Sequence, residues 1–379
     1  MQKHSPAPNN VHVVVGFDVH KDSISACVYD ATHDTVLDER KLRNEPAAIR
    51  KLIRRIRERY GEPRCCYEAS SCGFILFRLL REMEIECDVI APSSIPRRSG
   101  DRVKNDPIDA YKLASFYAAG LLRGVDVPDE ELESTRALLR CRAALVEELG
   151  RFKKRTTQFL QTRGYAYRDG TNWSQKFWEW LARIRLGLVD QIVLDTYVDL
   201  IHYLEAQISS LETRIEQEAE KPRYQEPVRL LKAFRGIATL TALTLASELG
   251  DIRRFEHPRQ LMAYLGLVPT EHSSGNKTHR GSISKAGNRH ARKAIVSAAW
   301  KYAARPARSH NLKERQRQVS PHVVAISWKA QKRLYRRFHA LAVRRPRSVA
   351  ATAIARELAG FLWEAMNTIT PAPTPAMAA

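Results

Sequence analysis

No stretch of about 18 consecutive apolar residues occurs in the chain, so nothing in it is expected to span a membrane. The first ten residues, MQKHSPAPNN, lack the apolar core of a secretory signal. There are no CxxC pairs of zinc-binding spacing. The six cysteines (Cys27, Cys65, Cys66, Cys72, Cys87 and Cys141) lie in the first half. They read as buried, reduced thiols of a cytoplasmic protein. Acid is scarce in one long stretch: between Glu271 and Ala350, 20 Lys and Arg face only Glu271 and Glu314. The whole chain carries +20, so the remaining three-quarters is almost neutral. A block of that density on a folded domain is the electrostatic footprint of phosphate-backbone binding. The alternative is a solvated basic face or polybasic tail, and the apolar residues and tryptophans running through the block argue against it.

The 379 residues are too many for one compact core and imply two or three domains. With 44% hydrophobic, 27% charged and 8% aromatic residues, the composition is that of a soluble globular protein.

Residues 11–20, VHVVVGFDVH, form an apolar β-branched run ending in an acid, and SISACVYD follows; together they predict a hairpin of buried strands. Helical spacing of Ile49, Leu52, Ile53 and Ile56 comes next. Then follow a strand at RCCYEAS, a helix at FILFRLLREM, a strand at CDVIAP and a helix from Asp106. This is a mixed α/β unit over 11–125. Residues 126–225 read as purely helical. Leu194, Tyr197, Ile201, Leu204, Ile208, Leu211 and Ile215 alternate spacings of three and four, a heptad pattern that predicts a coiled coil; the pattern allows the seam to close within one chain or between two, and a contact between two chains is the favoured expectation. From 226 to 366 a basic helical domain is expected. It opens on LLKAFRGIATLTALTLASELGDIRRF, a helix, Gly turn and helix that suits a DNA-backbone contact or an ordinary helical hairpin. Residues 1–10 and the Pro/Ala-rich tail 367–379 are expected to be disordered.

Four acids attract attention. Asp18 and Glu68 end apolar strands, and Asp106 and Asp109 stand three apart at a helix start, on one side of it. Converging carboxylates repel unless hard divalent cations such as Mg²⁺ or Mn²⁺ neutralise them, and two such ions suit phosphodiester chemistry. Each acid also has a plainer role. Asp106 before Pro107 is a good helix cap, Asp109 suits the positive helix end, Asp18 a turn and Glu68 a surface. Asp22 and Asp101 read as solvated. A second motif, YLGLVPTEHSSGNKTHRGSISKAGNRHARKAIVSAA, reads as a Gly-rich basic loop followed by a helix from about Asn288. Its amides and cations suit phosphate, with Arg280, Lys285, Arg289 and Arg292 as candidate contacts. Composition alone makes Ser273 and Ser274 turn residues rather than nucleophiles. Trp328, Trp363 and the aromatics near Tyr335 read as helix-core packing ahead of RNA stacking.

GFDVHKD, CYEASSCGF, DRVKNDPIDAYKLA, the 230–255 helical pair, YLGLVPTEHSSG and GSISKAGNRHARKAIVSAA stand in an order that resembles the DEDD-type transposases of the insertion-sequence-110 family, over about residues 12 to 363. The resemblance implies an RNase H-like domain of the RuvC type, a central coiled-coil region and a C-terminal transposase domain. It places metal-binding acids at Asp18, Glu68, Asp106 and Asp109, and a nucleophilic serine at Ser274, with Ser273 the adjacent alternative. It further implies a covalent phosphoserine link to DNA, a structured bridge RNA pairing with donor and target, and a dimer or tetramer acting in the bacterial cytoplasm at the nucleoid. A metal-dependent, junction-resolving nuclease without a covalent step is the alternative enzyme, and a non-catalytic nucleic-acid-binding remnant the alternative outside catalysis.

Overall fold

In a computed structural model of the chain, residues 13–96, 106–274 and 277–368 are described. The termini expected to be disordered, 1–10 and most of 367–379, lie outside the described residues, as does Asp101. The chain divides into two compact units, Met1–Asp129 and Glu130–Ala379.

The first unit is built on a five-stranded sheet. Its elements are β1 (Val13–Val19), β2 (Ser23–Asp30), β3 (Thr35–Arg43), α1 (Pro46–Tyr60), β4 (Arg64–Glu68), α2 (Ile75–Glu82), β5 (Cys87–Ile90) and α3 (Asp106–Ala118). The strand order is β3-β2-β1-β4-β5, with β1 to β3 antiparallel and β4 and β5 parallel to β1. Side chains alternate across a strand, and both faces of β1 are covered. Val13, Val15, Phe17 and Val19 join one core with Ile53 of α1 and Leu80 of α2. Val14 joins a second core with Cys66, Ala110, Leu113 and Ala114 beneath α3. Coverage on both sides explains the near-continuous apolar run. The strand β3 was not expected from the sequence, and its TVLDERKLR is mostly exposed. Its charges suit the sheet edge, where they discourage pairing with another chain.

The second unit is largely helical. It comprises α4 (Glu130–Thr162), α5 (Gln175–Leu181), α6 (Leu188–Ala219), α7 (Pro222–Lys232), α8 (Thr239–Leu249), α9 (Pro258–Tyr264), β6 (Pro269–Ser274), β7 (Lys277–Ile283), α10 (Arg289–Ala299), α11 (His310–Gln316), α12 (Pro321–Ala342) and α13 (Arg347–Met366). α4 and α6 run antiparallel, tied by Arg142–Glu212, Lys153–Glu205 at 2.6 Å and Arg163–Asp190 at 2.8 Å. The heptad seam expected to join two chains packs within one: Leu194, Ile201, Leu204, Ile208 and Ile215 are buried in this chain alone. The connection through α5 folds α6 back on α4, and the apolar stripe is satisfied locally.

Residues on both sides of the expected boundary at 226 share one core, in which Leu132, Leu139 and Ile215 meet Leu231, Phe234, Leu243, Ile295, Leu334 and Leu358. Trp363 packs there, its indole N–H donating to the Phe255 carbonyl at 2.7 Å. Of the cysteines, Cys27, Cys65, Cys66 and Cys87 are buried and Cys72 partly so. Cys141, expected to be buried, is exposed on α4. No described helix is long and apolar enough to cross a membrane.

Candidate active site

Asp18 and Glu68 occupy corresponding places on neighbouring parallel strands. Phe17 pairs with Tyr67 in register, so the next residue on each strand is one of the two acids. Alternation puts both on the face beneath α3: Val14 and Cys66 touch that helix, whereas Phe17 and Tyr67 point to the opposite core. Gly16 lets α3 lie close. A Cβ there would stand 2.3 Å from the Ala110 carbonyl oxygen and 2.6 Å from the Ala114 nitrogen. Farther along α3, the Arg64 guanidinium at the start of β4 lies 5.5 Å from the centre of the Tyr117 ring, and the Tyr117 hydroxyl donates to Asp88 at 2.7 Å. The helix therefore runs against β1, and its first turn, with Asp109, is directed to the strand ends that carry Asp18 and Glu68.

Two basic groups stand among these acids. His20 Nε2 is 3.1 Å from Asp18 Oδ2, and Lys112 Nζ is 3.9 Å from Asp109 Oδ1. His20 was not singled out in the sequence, although its spacing of two from Asp18 at a strand end was the available signal. Among the described residues no three His, Cys, Asp or Glu side chains are gathered closely enough to hold a metal ion. The Asp106 side chain lies outside the described residues.

The serine-bearing segment is a hairpin where a loop was expected. β6 and β7 pair Ser274 with Lys277, Ser273 with Thr278 and Glu271 with Arg280, so Ser274 ends the ascending strand. Of the side chains at 271–280, including Ser273, Ser274 and Arg280, none lies within the described residues. At its base the chain folds onto the turn after α9. The Ser284 N–H donates to Val268 at 2.8 Å, that of Lys285 to Gly266 at 3.1 Å and that of Asn288 to Tyr264 at 3.0 Å. Gly266 has φ 63°, and a Cβ there would lie 2.1 Å from the Ala286 carbonyl oxygen, which fixes glycine at this crossing. Lys285 and Arg289 are exposed beside the hairpin. Arg292 is engaged inward, its Nη1 donating to the carbonyls of Leu265 at 2.9 Å and Ala286 at 3.3 Å.

A buried ionic cluster anchors this base, and nothing in the one-dimensional pattern pointed to it. The Glu248 carboxylate of α8 accepts Arg140 Nε at 2.9 Å and Nη2 at 2.8 Å, and Asn288 Nδ2 at 2.7 Å. Asn288 Oδ1 in turn accepts the His290 and Ala291 N–H groups, capping α10. Burial alone would push the Glu248 carboxyl up, but the hydrogen bonds from Arg140 and Asn288, with the charges of Arg140 and Arg136, hold it below its ordinary value. Burial also lowers the neighbouring His290.

Comparison with known proteins identifies the class of chemistry. A family model of DEDD transposases of the IS110 group matches residues 15–163, and one described as the transposase IS116/IS110/IS902 family matches residues 228–314. The putative transposase y4qE of Sinorhizobium fredii (strain NBRC 101917 / NGR234) is 40% identical over 319 residues, 84% of this chain and 78% of its own length. The chain belongs to the IS110 family of transposases. This transposase is also 29% identical over 341 residues to the transposase for insertion sequence element IS1533 of Leptospira borgpetersenii, covering 88% of this chain and 97% of that one. It is 28% identical over 298 residues to the transposase for insertion sequence element IS1111A of Coxiella burnetii (strain RSA 493 / Nine Mile phase I), 76% of each. The transposase is thus an enzyme that cuts and rejoins DNA, and the first matched segment contains Asp18, Glu68, Asp106 and Asp109.

Proposed function

We propose that the chain transposes its insertion sequence through a phosphoserine intermediate formed by Ser274 and assisted by divalent metal on an RNase H-like acidic site. The observation that carries the reading is the placement of Asp18 and Glu68 at neighbouring strand ends, with the first turn of α3 directed to them. The donors are all carboxylates, hard oxygen ligands that fit Mg²⁺ or Mn²⁺ rather than a soft metal. Asp18, Glu68, Asp106 and Asp109 would hold the ions, which when bound polarise the scissile phosphate and stabilise the departing oxygen.

The Ser274 hydroxyl gives up its proton and its oxygen bonds to phosphorus, while the bond from phosphorus to a DNA hydroxyl breaks and that hydroxyl takes a proton. Attack by a second DNA hydroxyl reverses the exchange, so one phosphodiester replaces another without hydrolysis. Lys285, Arg289 and Arg280 position the phosphates, and such contacts fix register without reading sequence. Arg292 supports the hairpin base through its carbonyl contacts instead.

A bridge RNA belongs to the same reading, supported by the basic C-terminal block. So does a homo-oligomer. α6 exposes Leu188, Val189, Ile192, Leu200 and Tyr203 away from its buried seam, a surface suited to a second copy.

A covalent-trapping assay tests the proposal. The protein is incubated with labelled element-end DNA, Mg²⁺ and RNA from the element's flanks, then denatured and resolved by size. A label at protein size that vanishes in Ser274→Ala and Asp18→Ala, and persists in Ser273→Ala, is expected. Cleaved DNA with no attached protein would replace this mechanism with a hydrolytic, junction-resolving nuclease.

A further inference from the structure

The exposed face of α12 carries a dense line of positive charge. Lys329, Lys332, Arg333, Arg336 and Arg337 are all exposed, while Val323, Ile326, Ala330, Leu334 and Phe338 turn inward to the core. The spacing i, i+3, i+4, i+7 and i+8 sets the five cations in one continuous stripe. Like charges at these spacings repel and weaken a helix. On α4, by contrast, cations meet acids: Arg142 meets Glu212, and Lys153 meets Glu205. Along α12, among the described residues, Glu357 of α13 alone answers, at 2.9 Å from Arg333 and 3.4 Å from Arg337. Among the described residues Lys329, Lys332 and Arg336 have no carboxylate within ion-pair distance.

The same side chains, with Glu357, line a surface groove of about 770 Å³ between α12 and α13. Among the described residues that line it there is no aromatic ring, and Trp328, its ring centre 6.0 Å from Lys332 Nζ, is half-buried, so the groove offers cations for a backbone ahead of a stacking platform for bases. From Lys329 to Arg337 the helix rises about 12 Å. That length accommodates three or four successive phosphates of one duplex strand at about 3.4 Å of axis each. The groove lies outside both segments matched by the family models, 15–163 and 228–314.

We infer that the α12 stripe is a second nucleic-acid contact, separate from the serine hairpin, that grips the phosphate backbone of duplex DNA without reading its sequence. The inference rests on the DNA-rejoining activity and deepens it: the hairpin acts on one phosphate, and α12 holds the flanking duplex in place.

The test is the salt dependence of duplex binding by the full chain carrying Lys329→Ala, Lys332→Ala and Arg336→Ala together. These side chains are exposed, and circular dichroism should show the fold retained. A control with Lys154→Ala, Arg168→Ala and Lys176→Ala, also exposed, removes equal charge elsewhere. The stripe variant should bind duplex DNA at least tenfold more weakly. Its slope of log affinity against log salt should flatten by about 2 to 3, roughly 0.9 for each phosphate that is no longer neutralised. The control should match the unsubstituted chain. An unchanged slope, an equal change in the control, or a loss confined to structured RNA with duplex binding intact would each overturn the assignment. Adduct formation at Ser274 is scored separately in the unsubstituted chain, so failure of the serine mechanism leaves the slope comparison standing.

Discussion

Arg140 and Glu248 meet as a two-point fork, Nε at 2.9 Å and Nη2 at 2.8 Å, on a carboxylate with no exposed surface. The pair joins α4 to α8, and Asn288 extends it to the N-terminus of α10 and the base of the serine hairpin. Two-point geometry and the extra amide bond satisfy a charge that burial would otherwise disfavour.

Arg140→Ala should cost about 3 kcal/mol, because removing one partner leaves a buried carboxylate poorly compensated. Arg136, 3.9 Å from Glu248, offsets only part of that loss. The check is the urea midpoint of the transition that reports the helical unit. A midpoint equal to that of the unsubstituted protein would show that the fork contributes nothing to folding.

The same carboxylate sets an acid limit. Its folded value lies below the ordinary 4.5. Stability from this group is therefore fully present above the unfolded value and is lost as pH falls through the lower, folded one. Unfolding followed from neutral pH downward should show that decline in the unsubstituted chain. Glu248→Gln cannot titrate there, so its stability should fall less steeply over the same window. Parallel curves would mean that other carboxylates control acid unfolding.

Gly16→Ala probes the approach of α3 to the sheet. The added methyl meets backbone atoms at 2.3 and 2.6 Å, neither of which can rotate away as a side chain would. A loss of about 3 kcal/mol, the upper end for an overpacked core, is expected. Metal-dependent cleavage should fall with it, because α3 carries Asp109. Thermal unfolding together with cleavage under Mg²⁺ checks both, and a variant as stable and active as the parent would rule out the close crossing.

Thiol labelling distinguishes the cysteines. Burial, with the charge of Glu39, pushes the Cys27 thiol up to about 12, and burial raises Cys65, Cys66 and Cys87 well above the ordinary range. The thiolate is the reactive form. A maleimide should therefore modify Cys141 rapidly, Cys72 slowly and the other four only after unfolding. Peptide mapping reads the order, and rapid labelling of Cys66 would contradict the packing beneath α3.

The sequence by itself determined the first unit's strand and helix order apart from β3, and the acids at its strand ends. The near-continuous apolar runs of β1 and β4 and the 3.6-residue spacing of α1 are local signals that need no knowledge of neighbours. The charged edge strand β3 carries no such signal, since an edge need bury little. The hairpin β6–β7 was hidden because its Ser, Gly and charged residues resemble a loop, and its pairing is a relation between two strands. Tertiary structure alone decided three further things. It turned the α6 seam toward α4 and left a different face of that helix exposed. It aimed α3 at the ends of β1 and β4 through Gly16. It also brought Arg140, Glu248 and Asn288 together from positions more than 100 residues apart at the extremes. Spacing along the chain encodes which side of an element is apolar; which partner meets that side depends on loop closure and packing among distant segments, and these exist only in the folded chain.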